Sequence, residues 1–240
     1  MNQKRLAAVL VCLVLIIGSG TAVAEFANPY WERIGSGLPN QVVVLHNVYE
    51  RHDELVNIEA RVPQIWGLSD AVVQMEINQS INLDVEFFIS DLVHWAELAQ
   101  EEYEADPSWP SFLPYEGIVE YEVKYNKGGL LSIVMTFYQF TGGAHGMTFT
   151  QPINIDLTTG RELTFADLFS NDEERNLMAE YVDAKIKEEP TWFFIDEFDA
   201  SMFHDDQQFY MTEGQIVTIF GLYDIAPYAA GIQEFALPIP

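Results

Sequence analysis

One long amphipathic helix is the feature that most restricts how this chain folds. Between residues 77 and 96, apolar side chains recur at steps of three and four: Ile77, Ile81, Val85, Phe88, Leu92 and Ala96. This spacing places them on one helix face, which must be buried against another element. The pattern predicts a helix that is capped by Ser69 and ends near Glu104, because Pro107 and Pro110 cannot continue it.

Runs of β-branched and aromatic residues on both sides of this helix predict strands. Residues 42–45 and 55–62 favour a hairpin across a charged turn, and the stretch VPQIWGLSD that follows is expected to be a loop. Residues 118–125 and 130–140 favour a second hairpin, joined by the turn sequence NKGG. Further strands are expected at 148–157, 208–211 and 216–223 and before Pro238, with helices after Gly160 and over residues 171–188. These elements predict an α+β fold, with antiparallel sheet packed on one long and several short helices.

The first 24 residues have the organisation of an export signal. Lys4 and Arg5 precede an apolar run over residues 6–17, and Ala22-Val23-Ala24 forms a small-residue cleavage site. The run of 12 residues is shorter than the roughly 20 that a membrane-spanning helix needs, which favours cleavage over an uncleaved anchor. We therefore expect a periplasmic or secreted protein whose mature chain begins at Glu25 and contains no cysteine.

Three segments are predicted for the mature chain. Residues 25–40 contain Asn28-Pro29 and further prolines and glycines, and they are interpreted as a breaker-rich lead-in segment. Residues 41–141 are expected to form an N-terminal α+β subdomain and residues 142–240 a C-terminal one. No linker composition separates the two, so they are expected to share one sheet or two adjoining sheets.

A large excess of acidic residues distinguishes the chain. The full sequence has 11 Lys and Arg against 37 Asp and Glu, and loss of Lys4 and Arg5 with the signal changes the net charge from −26 to −28. Such a surface repels nucleic acid and anionic lipid and attracts cationic proteins over long range. The charge favours basic protein partners, and solubility alone is the simpler explanation.

Common catalytic and cofactor-binding motifs are missing from the sequence. It has no G-x-S-x-G nucleophile elbow, no G-x-x-x-x-G-K-[ST] phosphate loop and no H-E-x-x-H zinc motif. The five histidines are scattered, at His46, His52, His94, His145 and His204. Carboxylate pairs such as Asp205 and Asp206 arise by chance among 37 acidic residues. We therefore predict no catalytic residue, cofactor or metal site, and keep a hydrolase centred on His145 as the least favoured alternative.

The segment FTGGAHGMTF, residues 140–149, is the first candidate binding site. Gly142 and Gly143 permit backbone angles closed to other residues, so the chain can bend sharply between two strands. His145 lacks a neighbouring base and orienting residue, so we interpret it first as part of a turn and second as part of a binding edge.

Exposed tryptophans that stack on sugar rings would form a second kind of site. Trp66 and Trp109 lie in predicted loops and are the better candidates. Trp95 sits one position from the apolar stripe of the long helix and is expected to be packed.

Three quoted segments give the chain a family resemblance. YQFTGGAHGMT, the following PINIDLTTGRELTFADLF, and FGLYDIAPYAAGIQEFALP resemble the RsiV/PdaC-type extracytoplasmic domain family, whose function is largely unknown. The region before them, from residue 42 to residue 140, is similar to the partner domain that usually precedes this one. The resemblance covers nearly the whole mature chain and implies an α+β fold of antiparallel sheet packed on helices.

The resemblance also implies a function, because the RsiV-type ectodomain binds lysozyme. Family members also act as anti-sigma factors or accompany a peptidoglycan deacetylase. No sigma-factor-binding segment precedes the apolar run and no deacetylase domain follows Pro240, so we expect neither an anti-sigma role nor deacetylase activity. The leading hypothesis is an exported, non-enzymatic envelope protein that captures, senses or inhibits a cationic protein such as lysozyme. A peptidoglycan-binding accessory module is the alternative. The predicted contact residues are Thr141, Gly142, Gly143, His145, Asp224, Pro227, Tyr228, Trp66 and Trp109.

Overall fold

The computed structural model describes residues 28–35, 42–106 and 112–239, which build two adjoining β-sheets, one long helix and several short helices. The predicted α+β class is confirmed. The predicted export signal, most of the lead-in segment and Trp109 lie outside the described residues.

The helices and strands alternate irregularly along the chain. The helices are α1 (Pro29–Gly35), α2 (Ala71–Ala105) and α3 (Asp172–Glu188), with short 3₁₀ turns at Phe165–Leu168, Pro190–Trp192, Ala200–Met202 and Tyr228–Ala230. The larger sheet contains β1 (Val43–His52), β2 (Val56–Trp66), β3 (Tyr115–Lys127), β4 (Leu130–Phe140), β5 (Met147–Asp156) and β6 (Arg161–Glu162), in that spatial order. The smaller sheet contains β7 (Phe209–Thr212), β8 (Gln215–Phe220) and β9 (Gln233–Pro238).

The long helix α2 packs on the larger sheet with the predicted apolar face. Ile81, Val85, Phe88, Leu92 and Ala96 are buried there, as the spacing of three and four requires. Because α2 carries the chain from the end of β2 back to the start of β3, these two strands pair in parallel. The expected antiparallel sheet therefore contains one parallel pair among its described strands.

Two details at the start of α2 correct the sequence analysis. The stretch from Val62 to Trp66 was expected in a loop, but it continues β2, paired with β1 as far as Val43. The helix cap is Asp70 rather than Ser69, since the Asp70 carboxylate accepts hydrogen bonds from the backbone nitrogens of Val72 and Val73.

The lead-in segment contains a helix that the sequence analysis did not predict. Asn28 accepts a hydrogen bond from the backbone nitrogen of Tyr30, and Pro29 occupies the first position of α1, where a missing N–H costs nothing. The two supposed breakers therefore start a helix. Trp31 and Ile34 on α1 are buried in the core that α3 forms with the smaller sheet.

Buried polar side chains join the two sheets. Asn154 on β5 donates to the carbonyl of Phe209 on β7 at 2.7 Å, and the hydroxyl of Ser132 on β4 accepts from the nitrogen of Met211 at 3.0 Å. Ser132 also donates to the Asn154 side chain at 2.6 Å. These bonds satisfy backbone groups of β7 within the core and hold the two sheets together. The predicted subdomain boundary at residues 141 and 142 falls between β4 and β5, which pair with each other.

Candidate functional site

Two loops that are distant in sequence meet at the end of β4. The ring of His145 stacks on the ring of Tyr228 with 3.8 Å between centroids and 22° between planes. The hydroxyl of Tyr228 donates a hydrogen bond to the carbonyl of Gly146 at 2.8 Å, across 82 positions of sequence. Residues 141–146 and 223–231 are called the joined-loop surface below.

Glycines shape the first loop in two different ways. Gly142 and Gly143 have φ angles of +94° and +92°, which favour glycine, and no other atom lies within 4 Å of a Cβ built on either residue. Gly146 instead faces the ring of Tyr138 on β4, 2.4 Å from the position that a Cβ would take. The first two glycines therefore turn the chain, and Gly146 lets the loop lie close against β4.

The second loop is fixed by its own backbone and by the core. Asp224 accepts a hydrogen bond from the nitrogen of Gly221 at 2.6 Å, so its carboxylate closes the turn after β8. Tyr223 within this turn has a φ of +70°, uncommon for a residue with a side chain, and its ring is 50% exposed. Ile225 and Ala226 are buried and anchor the loop, while Pro227 leads into the short turn that carries Tyr228.

The joined-loop surface presents aromatic rings to solvent. His145 and Tyr223 are exposed and flank the half-buried Tyr228, with 5.9 Å between the centroids of the two tyrosines. Aromatic side chains bury large areas with little loss of conformational freedom, and tyrosine is enriched among the residues that dominate binding energies. The arrangement is therefore suited to noncovalent contact.

The ring of His145 contacts the backbone of its own loop as well as Tyr228. Its Nδ1 lies 3.0 Å from the carbonyl of Gly146. Among the described residues, no hydroxyl or carboxylate hydrogen-bonds to the ring, whereas a histidine base in nucleophilic catalysis needs such neighbours. The described chain also holds no cluster of three or more His, Asp or Glu side chains that could bind a metal ion.

Of the predicted contact residues, the structure brings together those of the two loops and leaves Trp66 apart. Thr141, Gly142, Gly143 and His145 belong to one loop, and Asp224, Pro227 and Tyr228 belong to the other. Trp66 is 52% exposed at the end of β2, whereas the joined loops lie at the end of the sheet where β2 begins. The expectation that Trp95 is packed is wrong, since this residue is 55% exposed on α2.

Sequence reasoning missed two residues of this surface and one residue of β4 that supports it. Tyr223 supplies an exposed ring, Tyr138 supports Gly146, and Gly146 accepts the bond from Tyr228. All three lie in the segments that carried the family resemblance. Their roles depend on which loops meet in space, and local patterns contain no information on that.

The fold places the chain in the class of α+β proteins. It has two adjoining sheets, and one long helix packs on the larger sheet. Residues 49–148 match the family model described as deacetylase PdaC, and residues 166–239 match the family described as protein of unknown function (DUF3298). The chain thus combines a PdaC-type domain with a DUF3298 domain, which confirms the resemblance.

Two solved structures of DUF3298 family proteins share the fold. A member from Bacteroides fragilis superposes with a TM-score of 0.65 at 19% sequence identity, over 83% of this chain and 92% of that chain. A DUF3298 family protein from Pseudomonas aeruginosa gives a TM-score of 0.50 at 18% identity, over 85% of this chain and 92% of that chain. No curated protein matches the chain.

None of the described helices is both long and apolar enough to cross a bilayer.

Proposed function

We propose that this chain is an exported, non-enzymatic binding protein of the cell envelope, which captures a cationic protein such as a lysozyme through the joined-loop surface. One observation carries the proposal. Two of the three segments that carry the family resemblance meet in space, where His145 stacks on Tyr228 and the Tyr228 hydroxyl donates to the other loop. A surface assembled from two loops in this way is preorganised, which lowers the cost of binding.

The charge of the chain supports a basic partner. The formal net charge is −26, and long-range attraction of this kind accelerates encounter with a cationic protein. Attraction of this kind is weakened by salt, whereas contacts made by the aromatic rings are not. Salt dependence therefore separates specific capture from generic charge pairing.

Purified protein is expected to bind a basic animal-type lysozyme saturably at about 0.15 M salt, where the Debye length is roughly 8 Å. His145→Ala and Tyr223→Ala each remove one exposed ring, and we expect each to raise Kd roughly tenfold or more, as loss of a central aromatic contact does. Calorimetry would give Kd, and wall lysis in the same samples would report inhibition.

Trp95→Ala is the matched control, because it removes an equally exposed ring from α2. Its Kd for lysozyme should equal that of the unaltered protein. Binding that disappears at the higher salt, or that both ring variants leave unchanged, would contradict capture by the joined-loop surface.

A glycan-binding function is the second candidate, and one observation favours it. The exposed ring of Trp66 borders a shallow pocket of about 470 Å³ whose lining includes Gln79 and other amide side chains. Four of these amides are already used. Gln74 accepts from the nitrogen of Gly67, Asn78 bonds to the backbone of Ile65, and Gln64 donates to Asn82. Aromatic rings beside amides are suited to sugars.

On this second hypothesis, purified peptidoglycan should retain the protein in a pull-down, and Trp66→Ala should abolish retention because the stacking surface is lost. Trp95→Ala again serves as the control for loss of an exposed indole. Equal retention of the two variants would exclude Trp66 as the sugar platform.

A further inference from the structure

A groove runs between the edge strand β1 and the helix α2. Its volume is about 560 Å³, and its lining includes apolar side chains of β2 and α2, namely Val62, Val85, Ile89 and Val93. Glu86 and Glu97 of α2 also line it. The groove thus combines an apolar lining with carboxylates from one side.

The strand that borders this groove has an open edge. Within the described residues, β1 pairs with β2 alone, in continuous register over ten residues from Val43 to His52. Its first seven residues contain no proline and no Lys, Arg, Asp or Glu, which are the residues that commonly protect a sheet edge. The unpaired backbone groups of β1 are therefore available to another strand.

Exposed apolar side chains concentrate on the same two elements. Of the twenty large hydrophobic residues that are exposed in the described chain, ten belong to β1 or α2. Two of them line the groove, Val48 at 59% and Tyr49 at 39% exposure. The edge strand therefore presents apolar side chains to solvent beside the groove.

The charge of α2 restricts the partner. The helix contains eight Asp and Glu residues and no Lys or Arg. Arg51 lies at the groove but is already paired with Asp53 at 2.7 Å, and His94 lines it as well. A second copy of this chain, with the same net charge of −26, would be repelled. Complementarity therefore calls for basic side chains on the partner.

We propose that the groove receives an extended segment of a partner protein, which carries alternating apolar and basic side chains and adds as a strand to the free edge of β1. An extended segment satisfies the open backbone groups of β1, which a helix cannot do. Alternate side chains of a strand point to opposite faces, so one set enters the groove. The basic set enters the groove, where its methylene stems would cover the apolar lining and its charged ends would face Glu86 and Glu97. The apolar set would then lie on the other face of the sheet.

This surface is separate from the joined-loop surface. Strands β2 and β3 lie between β1 and β4, at whose end the joined loops begin. With neighbouring strands about 4.8 Å apart, the two surfaces are separated by roughly 15 Å of sheet. The groove proposal is therefore independent of the proposed capture by the joined loops.

The test uses the full mature chain and a fluorescein-labelled ten-residue peptide that alternates lysine with valine. Fluorescence anisotropy at about 0.15 M salt is expected to show saturable binding. The same peptide with alternate backbone nitrogens methylated keeps its charge and side chains but cannot pair with an edge, and its Kd should rise at least tenfold. A peptide with glutamate in place of lysine should not bind.

Two variants locate the binding site. Val48→Lys places a charge on the exposed edge strand, and Ser90→Trp fills the groove from the outer side of α2. Each is expected to raise the Kd of the peptide about tenfold or more. Val123→Lys adds the same charge on β3, where Val123 is 37% exposed, and should leave the Kd unchanged.

Equal binding of the methylated peptide would overturn strand addition, and equal effects of Val48→Lys and Val123→Lys would overturn the location. His145→Ala should leave peptide binding unchanged, and Val48→Lys should leave lysozyme binding unchanged. Failure of lysozyme capture and failure of the groove proposal are therefore distinguishable.

Discussion

Asp156→Ala is expected to lower the free energy of unfolding by about 3 kcal/mol, the low end for breaking a buried ion pair. Asp156 is 5% exposed and accepts two hydrogen bonds from the guanidinium of Arg33, at 3.0 and 2.9 Å. Its removal takes this ion pair away from Arg33, which still donates to the carbonyls of Gly128 and Gly129. Urea denaturation would measure the loss.

Glu188→Ala is the control for this variant, because it removes an exposed ion pair with Lys185 at 2.9 Å. Exposed pairs of this kind contribute about 0.5 kcal/mol or less. Similar losses in the two variants would contradict a special role for the Asp156 pair.

The same carboxylate gives stability a pH dependence with a definite sign. Burial alone would raise the pKa of Asp156, but hydrogen bonds from Arg33 and Thr158 outweigh it and lower the pKa to about 2, from the usual 3.8. A lowered pKa in the folded state means that the stabilisation is complete above about pH 4 and is lost as pH falls towards 2. The difference corresponds to about 2 kcal/mol. Asp156→Ala should flatten the stability curve over that interval, and parallel curves would contradict this assignment.

Trp31→Ala is expected to cost about 3–5 kcal/mol, the range for truncating a buried large aromatic residue. Trp31 is 2% exposed in the core of α3 and the smaller sheet, and its indole nitrogen donates to the carbonyl of Leu168 at 2.7 Å. Trp31→Phe keeps much of the packing and loses this bond, so a smaller loss of about 1 kcal/mol is expected. Thermal and urea unfolding would rank the two.

Trp95→Ala provides the comparison, because this ring is 55% exposed and its removal should change stability by about 0.5 kcal/mol or less. A loss below about 1 kcal/mol for Trp31→Ala would show that α1 is not part of the folded core.

Local periodicity predicted the parts of the fold that depend on local burial. The C-terminal end of α2 was predicted within one or two residues. Five of the six apolar residues whose spacing predicted the helix are buried. The hairpins β1–β2 and β3–β4 followed from alternating runs and turn residues. These features share one property, since each is specified by residues close together in sequence.

Features that depend on distant contacts were missed. Helix α1 has only seven residues, too few for a clear apolar period, and it is stabilised by packing of Trp31 and Ile34 on distant elements. The parallel pairing of β2 with β3 depends on where α2 returns the chain. The loop containing His145 was identified as a bend, but its contact with Tyr228 joins positions that no local pattern relates.

Docking of α1 ties the folding of the C-terminal core to the start of the chain. The hydrogen bond from Trp31 reaches a residue 137 positions further on, and Ile34 shares its core with Ile239. Such long-range contacts form slowly, because a large loop must close before they contribute stability. Among the described elements a ribosome releases α1 first, and its contacts with Gly128 and Asp156 can form before β7, β8 and β9 have emerged. The C-terminal core therefore includes the earliest of the described helices and closes only when the last described strand is complete.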